Sequence, residues 1–397
     1  MYNFLNIKTS LSSNRWASSE HRPVKLGDVV EVRNELELNP KDAGFKRYLK
    51  VEHLDSESLK IRRWGLIEEE DLPPTFYKVF RKSQVLYPTR NPHLRRTAFA
   101  DFDGICGEKT LTLEANQEML LPVLLPFIFQ TEPFIQYATS SMIGSTNPHV
   151  RWRDIASYKF ILPPKNEQQQ IADILWAVDH VVQKFEIAYS QIVRLEQKSF
   201  DTWLNENKTN ENWTNVSLED ICTIQNGQIN PTVFPYTNMI HIAPDDIESI
   251  TGNVLEKRTA AQDGVESGKY EFSDKAILYS KIRPNLRKVA FPRFSGICSA
   301  DIYPIYSKNN VLPEFLFRLL LSEDFTFYAI GNSVRSAIPK INRQAFLRYQ
   351  FKLPPLNEQR QFEVVLASFR EAISVAFCHL SDSRSLKRFL LSYLLTR

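Results

Sequence analysis

Apolar side chains recur at heptad spacing in two stretches of this chain. In the first, Ile171, Val178, Phe185 and Ile192 form one row, and Ile174, Val181, Ala188 and Leu195 form another. In the second, Phe362, Phe369, Ala376 and Leu390 form one row, and Leu366, Ile373, Leu380 and Leu394 the other. Neither stretch contains Gly or Pro. A sustained period of 3.5 predicts helices with a narrow apolar seam. The first runs to about Leu204, so it holds roughly 38 residues and is about 57 Å long. Each begins at a Pro-Pro pair followed by a polar first turn carrying Glu, which suits a helix N-terminus. A helix of that length does not fit inside a domain of ~150 residues. Each seam wants one partner helix, and the two stretches are expected to pair antiparallel. Trp176, Trp203 and Phe389, outside the rows, are expected to cap the seam or touch their own domain.

The two stretches belong to a larger repeat. "KLGDVVEVRN" (25–34) aligns with "SLEDICTIQN" (217–226), "LYPTRNPHLRR" (86–96) with "LYSKIRPNLRK" (278–288), and "FDGIC" (102–106) with "FSGIC" (294–298). These pairs are offset by 192 positions, and "LPPKNEQQQ" (162–170) and "LPPLNEQRQ" (353–361) by 191. The period is far longer than that of a solenoid, so each unit is a domain plus a helix. The division expected is 1–160, a first globular domain; 161–208, a first long helix; 209–352, a second domain; 353–397, a second helix.

Inside each globular half, short β-like runs alternate with Pro, Asn, Asp and Gly turns. Examples are "LKVEHL" (49–54), "SLKIRRW" (58–64), "MIHIAP" (239–244) and "AILYSKI" (276–282). A helical stretch follows in each half, at 120–138 and 312–330. The pattern predicts an α/β (α+β) chain: two globular domains related by a pseudo-two-fold, each with a curved mixed sheet, joined by two long antiparallel coiled-coil helices.

Charge adds a candidate surface. The chain has 49 Lys and Arg against 46 Asp and Glu, a net charge of +3 over 397 residues, so any nucleic-acid footprint is local. Two equivalent windows are basic. Residues 78–96 hold Lys78, Arg81, Lys82, Arg90, Arg95 and Arg96 and no acid; 275–293 hold Lys275, Lys281, Arg283, Arg287, Lys288 and Arg293 and no acid. Arg reads guanine edges bidentately, and both residue types neutralise phosphate. A second pair of loops, "SSMIGSTNPHVRWR" (140–153) and "GNSVRSAIPKINR" (331–343), offers hydrogen-bonding side chains and Arg335.

Other chemistry finds little support. Four scattered Cys without C-x-x-C spacing fit a reducing compartment and make neither a zinc site nor a disulfide framework. No G-x-G-x-x-G or G-x-x-x-x-G-K-[ST] loop occurs among 12 Gly. The seven His are dispersed. Asn91-Pro92-His93 and Asn147-Pro148-His149 lack the second Pro and the aromatic of an amino-methyltransferase loop. Glu196-Gln197-Lys198 lies inside a predicted long helix. The start shows no apolar signal region and the chain no evident membrane span, so a cytoplasmic location is expected.

The duplicated LPP-x-NEQ block opening a heptad helix, each copy behind a domain carrying "LYSKIRPNLRK…GIC" or its variant, resembles the specificity subunit of type I restriction–modification systems. The resemblance covers nearly the whole chain. It implies that each domain is a target recognition domain reading one half of an interrupted double-stranded DNA sequence. It implies that the helix pair spaces the half-sites and docks modification (methyltransferase) subunits, two in number. Restriction subunits would join them. S-adenosylmethionine, Mg and ATP would then sit on the partners, and this chain would hold no cofactor and no metal and do no catalysis. The LPP-x-NEQ blocks assign helix-start and docking roles to Asn166, Glu167, Gln168, Asn357, Glu358 and Gln359. The DNA-binding residues expected on chemical grounds are Lys78, Arg81, Lys82, Arg90, Arg95, Arg96, Lys281, Arg283, Arg287, Lys288, Arg293 and Arg335. Half-sites on one face of B-DNA lie about 34 Å apart per turn, within reach of such a spacer. The domains differ greatly in sequence, so an asymmetric target is expected. A protein-interaction scaffold, built on the helix strut with incidental basic windows, is the alternative.

Overall fold

The computed structural model describes residues 21–69, 72–144, 147–334 and 338–396. The chain divides into two compact units. One runs to Glu186 and resumes at Cys378; the other is Ile187–Phe377.

The first unit carries two four-stranded sheets. One is antiparallel, in the order Val30–Val32, Thr110–Ala115, Val85–Pro88, Ala98–Phe99. The other runs Gly65–Leu66, Arg47–Leu49, Gly104–Gly107, Phe76–Phe80, with Arg47–Leu49 parallel to Gly104–Gly107. The second unit repeats this order strand for strand. Its sheets are Cys222–Ile224, Ile302–Ser307, Ile277–Ser280, Val289–Ala290, and Arg258–Thr259, Ile240–Ile242, Gly296–Cys298, Tyr270–Phe272. Ile240–Ile242 and Gly296–Cys298 form its parallel pair. The repeated Gly of the GIC triplets has a physical cause. A Cβ on Gly104 would lie 2.8 Å from the Arg47 carbonyl oxygen, and one on Gly296 2.6 Å from that of Ile240. Only Gly admits this approach between the parallel strands.

Two expected strands differ. Residues 49–54 leave the sheet after Leu49 and form a 3₁₀ turn, Val51–His53. Residues 58–64 form no strand; Leu59 and Ile61 simply pack inward from an irregular segment. The helical stretches are broken into Leu125–Ile128 and Glu132–Ser140, and Pro313–Leu321 and Glu323–Gly331.

The long helices are Lys165–Glu206 and Leu356–Leu395. Each contributes one half to each unit. In the first unit, Ile171, Ala172, Leu175 and Val178 share a core with Leu390, Leu391 and Leu395 and with Leu113, Phe127 and Phe134. In the second, Phe200 packs with Leu366, Phe315 and Leu319, and Trp203 stacks on Phe362 with ring centroids 4.3 Å apart. Early residues of one helix thus meet late residues of the other, so the pairing is antiparallel. Trp176 stays with its own domain, its Nε1 donating to the Val123 carbonyl at 2.9 Å.

One heptad row is not where expected. Ile174, Val181 and Leu195 are 38, 43 and 56 % exposed. The positions turned inward are Leu175, Val182, Tyr189 and Glu196, together with Asp179. Polar residues occupy the inner row because each has an ionic partner. Asp179 meets Lys387 at 2.6 Å, Glu186 meets Arg62 at 2.7 Å and Arg384 at 2.9 Å, and Glu196 accepts from Arg318 at 2.9 Å. Burial raises the Glu196 carboxyl above the ordinary carboxylate range.

The second helix corrects another expectation. An 18-residue stretch of it reaches a mean hydropathy of 1.4 with 17 % buried, long and apolar enough by composition to cross a membrane. Leu366 and Ala376 turn into the protein, whereas Val364, Val365, Val375 and Phe377 face outward. Arg370 in the same stretch pairs with Glu363 at 2.8 Å.

Candidate nucleic-acid interface

The two basic windows fold alike. In each, a strand of the antiparallel sheet runs into a 3₁₀ turn, Pro92–Leu94 or Pro284–Leu286, with a buried Pro at its first position. The residue before each turn is left-handed, Asn91 at φ 52° and Arg283 at φ 49°. The residue after is left-handed too, Arg95 at φ 52° and Arg287 at φ 49°. Four non-Gly residues at positive φ are an unusual backbone, tolerated where surroundings fix it. Arg95 and Arg287 show what fixes it. Arg95 Nη1 donates to the Gln130 carbonyl at 3.4 Å and its guanidinium pairs with Glu132 and Glu57. Arg287 Nε donates to the Leu321 carbonyl at 2.9 Å. Both bonds anchor the turn to the entry of the following helix. These two Arg, expected as DNA ligands, are engaged in holding the turn.

Several other expected ligands are also engaged internally. Lys78 is buried, its Nζ donating to the Thr110 carbonyl at 2.8 Å, and burial lowers its pKa. Its strand is buried on both faces at this point, with Val79 and Phe80 enclosed too, so the ammonium is held inside. Arg81 is held between Glu35 and Asp103, which raise its pKa and cancel its charge. Lys281 donates to the Ala300 carbonyl at 2.7 Å, and Lys288 to the Pro244 carbonyl at 2.8 Å. Arg293 pairs with Glu314 at 2.6 Å and lies 3.5 Å over the Phe291 ring. Arg96 is half-buried, its Nε without an acceptor. Arg335 lies outside the described residues.

Each unit keeps part of its basic window outward. Lys82, Arg90 and Arg283 are exposed and make no ion pair among the described residues. Asn91 and His93 on the first turn and Asn285 on the second are exposed beside them. The structure also brings together the loop pairs that the sequence left apart. In the first unit, Arg90 bridges His149, and the Val150 N–H donates to the Thr89 carbonyl at 2.9 Å. In the second, Ser333–Val334 pairs with Lys340–Ile341, and the Arg283 N–H donates to the Pro339 carbonyl at 2.7 Å. Asn147 and Lys340 thereby join the two patches, both exposed. Asn147 and Lys340 lie in the two loops that the sequence offered as hydrogen-bonding surfaces, whereas Asn91, His93 and Asn285 were not expected to bind DNA; the tight Asn-Pro and Arg-Pro turns were the available signal. Each unit thus presents one turn and one hairpin as a basic and amide-bearing edge. Such an edge can neutralise phosphate and hydrogen-bond base edges.

The LPP-x-NEQ blocks have a mechanical role. Gln168 and Gln359 are almost wholly buried. Gln168 Oε1 accepts from the Leu121 N–H at 2.8 Å, and its Nε2 donates to the Met119 and Pro163 carbonyls at 2.9 Å. Gln359 repeats this with the Leu312 N–H at 2.9 Å, the Pro354 carbonyl at 2.8 Å and the Asn310 carbonyl at 3.4 Å. The Glu residues are half-buried. Glu167 bonds His21 at 2.8 Å and Glu358 accepts from Trp213 Nε1 at 2.8 Å. Only Asn166 and Asn357 face solvent. The two Gln therefore bolt each helix to its own domain rather than face a partner. Gln168→Ala leaves backbone groups unpaired and is expected to cost about 1–3 kcal/mol. The midpoint of urea unfolding checks it; an unchanged midpoint would show the bonds to be dispensable.

His241, Asp246 and Asp263 bring three ligating groups within 4.8 Å. The Arg258 guanidinium already pairs with Asp263 at 2.5 Å and Asp246 at 3.4 Å, and His241 Nδ1 lies 2.7 Å from Asp263. The cluster's charge is met by protein.

A duplicated α/β chain with one basic turn-and-hairpin edge per unit, bolted to paired helices, defines a two-domain nucleic-acid reader. The sequence profile of the type I restriction modification DNA specificity domain matches residues 19–188 and again 210–374. The chain belongs to that family and is a specificity subunit of the type I class. It is 32 % identical over 301 residues to the type I restriction enzyme EcoDI specificity subunit of Escherichia coli, covering 65 % of this chain and 67 % of that one. It is 22 % identical over 329 residues to the MjaVIII specificity subunit of Methanocaldococcus jannaschii, covering 74 % of each. Among solved structures, the HsdS subunit from Thermoanaerobacter tengcongensis aligns at 19 % identity and a TM-score of 0.41, covering 95 % of this chain and 96 % of that one. The type I S subunit from M. genitalium aligns at 11 % and 0.47, covering 97 % and 98 %.

Proposed function

We propose that each domain, 1–160 and 209–352, reads one half of an interrupted, asymmetric duplex DNA target, while the helices, 161–208 and 353–397, fix the gap between the halves. The observation that carries this is the equivalent edge in both units: Arg90, Asn91 and His93 beside His149, and Arg283 and Asn285 beside Lys340. Lys82 adds phosphate contact in the first half. The outward apolar positions Val364, Val365 and Val375 supply a surface for modification subunits, two per chain by analogy with the duplication. That role, rather than a membrane span, suits a helix whose Leu366 and Ala376 are built into the protein. Asn166 and Asn357 stay available at the helix starts. This chain is non-catalytic and cytoplasmic in the proposal. S-adenosylmethionine is held by the modification subunits, and Mg and ATP serve the restriction subunits.

The test is direct. The chain assembled with its modification subunit is expected to bind target duplex with an affinity that falls linearly on a log–log plot as salt rises. Arg90→Ala or Arg283→Ala is expected to weaken binding, with preference relaxed in one half-site only. Binding that ignores salt, or its absence, would leave a protein scaffold as the better description.

A further inference from the structure

The two most exposed large apolar side chains among the described residues occupy the same loop of the repeat. Leu38 is 78 % exposed between Val30–Val32 and Arg47–Leu49, and Phe234 is 81 % exposed between Cys222–Ile224 and Ile240–Ile242. The two loops differ in charge. The first carries Glu35, Glu37 and Asp42 among Arg33, Lys41 and Lys46, and Glu35 pairs with Arg81. The second lies within a run from Ile221 to Pro244 that contains no Asp, Glu, Lys or Arg, in a chain that is 24 % charged. What it exposes instead is Asn226, Gln228, Asn230, Thr232 and Asn238 around Phe234.

This loop is ordered by its own bonds. Asn230 Oδ1 accepts from the Thr232 N–H at 3.0 Å and hydroxyl at 2.9 Å, and the Thr237 N–H donates to the Val233 carbonyl at 3.2 Å. Its root is tied to the proposed DNA edge. The Arg343 guanidinium holds the Gln225 carbonyl at 2.9 Å and Asn226 Oδ1. Arg343 follows the hairpin strand Lys340–Ile341, whose Ile341 N–H donates to the Lys281 carbonyl at 3.0 Å beside Arg283.

We propose that the 225–238 loop is a base-reading element of the second domain, with Phe234 making an apolar contact to a base edge in that half-site. The inference rests on the DNA reading proposed above. Amides pair adenine bidentately, and the thymine methyl is the apolar group on a major-groove edge that an aromatic side chain meets. A loop without carboxylates approaches phosphate unopposed; its counterpart in the first domain carries three of them, so the two domains read by different loops.

The experiment uses the chain assembled with its modification subunit and duplexes carrying every single base-pair change, plus uracil for thymine, in both half-sites. Phe234→Ala is expected to lower affinity for the intact target about tenfold or more. Discrimination is lost at one or two adjacent pairs of one half-site, with the salt slope and binding to random duplex unchanged. Uracil at the contacted pair should weaken the parent protein and leave Phe234→Ala indifferent. Retained affinity and discrimination would overturn the proposal, as would a loss equal on target and random DNA. Impaired assembly with the modification subunit in the absence of DNA would show a protein contact and overturn it too. If the parent complex itself does not prefer any target over random duplex, the DNA-reading function fails first, and the loop assignment falls with it.

Discussion

Asp179→Ala is expected to destabilise the protein by about 3–5 kcal/mol, the effect of removing one partner of a buried ion pair. The Asp179 and Lys387 side chains are 1 and 5 % exposed, and their charged atoms lie 2.6 Å apart. Lys387 has a second bond, to the Glu57 carbonyl at 2.8 Å, but a carbonyl dipole does not compensate a full charge in that surrounding. The loss arises mainly from the stranded ammonium and not from the missing attraction. Replacing both members, Asp179→Leu with Lys387→Met, should therefore recover most of it. Recovery stops short of complete, because the Glu57 carbonyl and the Gln183 amide, 2.6 Å from Asp179, each lose a partner. Urea unfolding of the single and double variants measures both figures. A single replacement costing under about 1 kcal/mol would mean that water reaches the pair and the seam is open there.

That pair also marks where sequence reasoning failed. Heptad counting takes apolar residues to be inside. On the first helix, Ile174, Val181 and Leu195 satisfy the count as well as Leu175, Val182 and Tyr189 do, and the true inner row carries Asp179, Glu186 and Glu196. Their partners lie far along the chain, at Lys387, Arg384 and Arg318, so no local pattern shows that these charges are met. On the second helix Leu366, Ala376, Leu380 and Leu390 turn inward as the pattern predicts, and Ser383 and Lys387 fill the gaps between them. The same limit applies to the site. Basic windows located the turns, because composition survives in the sequence. They did not separate Arg90 and Arg283, which face solvent, from Arg95 and Arg287, which hold carbonyls at Gln130 and Leu321. The distinction depends on the left-handed turns around Pro92 and Pro284, which leave Arg90 and Arg283 exposed and hold Arg95 and Arg287 against carbonyls of their own unit.

Exchanging residues 213–352 for the matching domain of a relative is expected to change one half of the recognised sequence and leave the other half intact. The joint gives the physical reason to expect that such an exchange is tolerated. Gln359 binds the second domain through backbone atoms of Leu312 and Asn310, and Gln168 binds the first through those of Leu121 and Met119. The side chains at those four positions take no part in these bonds, so the bonds persist when they change. The ribbons Arg22–Lys25 with Lys159–Leu162, and Thr214–Ser217 with Gln350–Leu353, close each domain by main-chain pairing as well. A foreign domain that keeps this backbone seats on the same helix pair, bringing its own turn, hairpin and loop. Affinity for the original target should then fall toward the non-specific level, about a thousandfold or more. A duplex with one original and one donor half-site, at the original gap, should restore it. Mapping methylated adenines in DNA modified by the chimeric complex reads the outcome. A change in both halves, or in the gap, would show that the domains do not read independently and that the helix pair does not set the spacing alone.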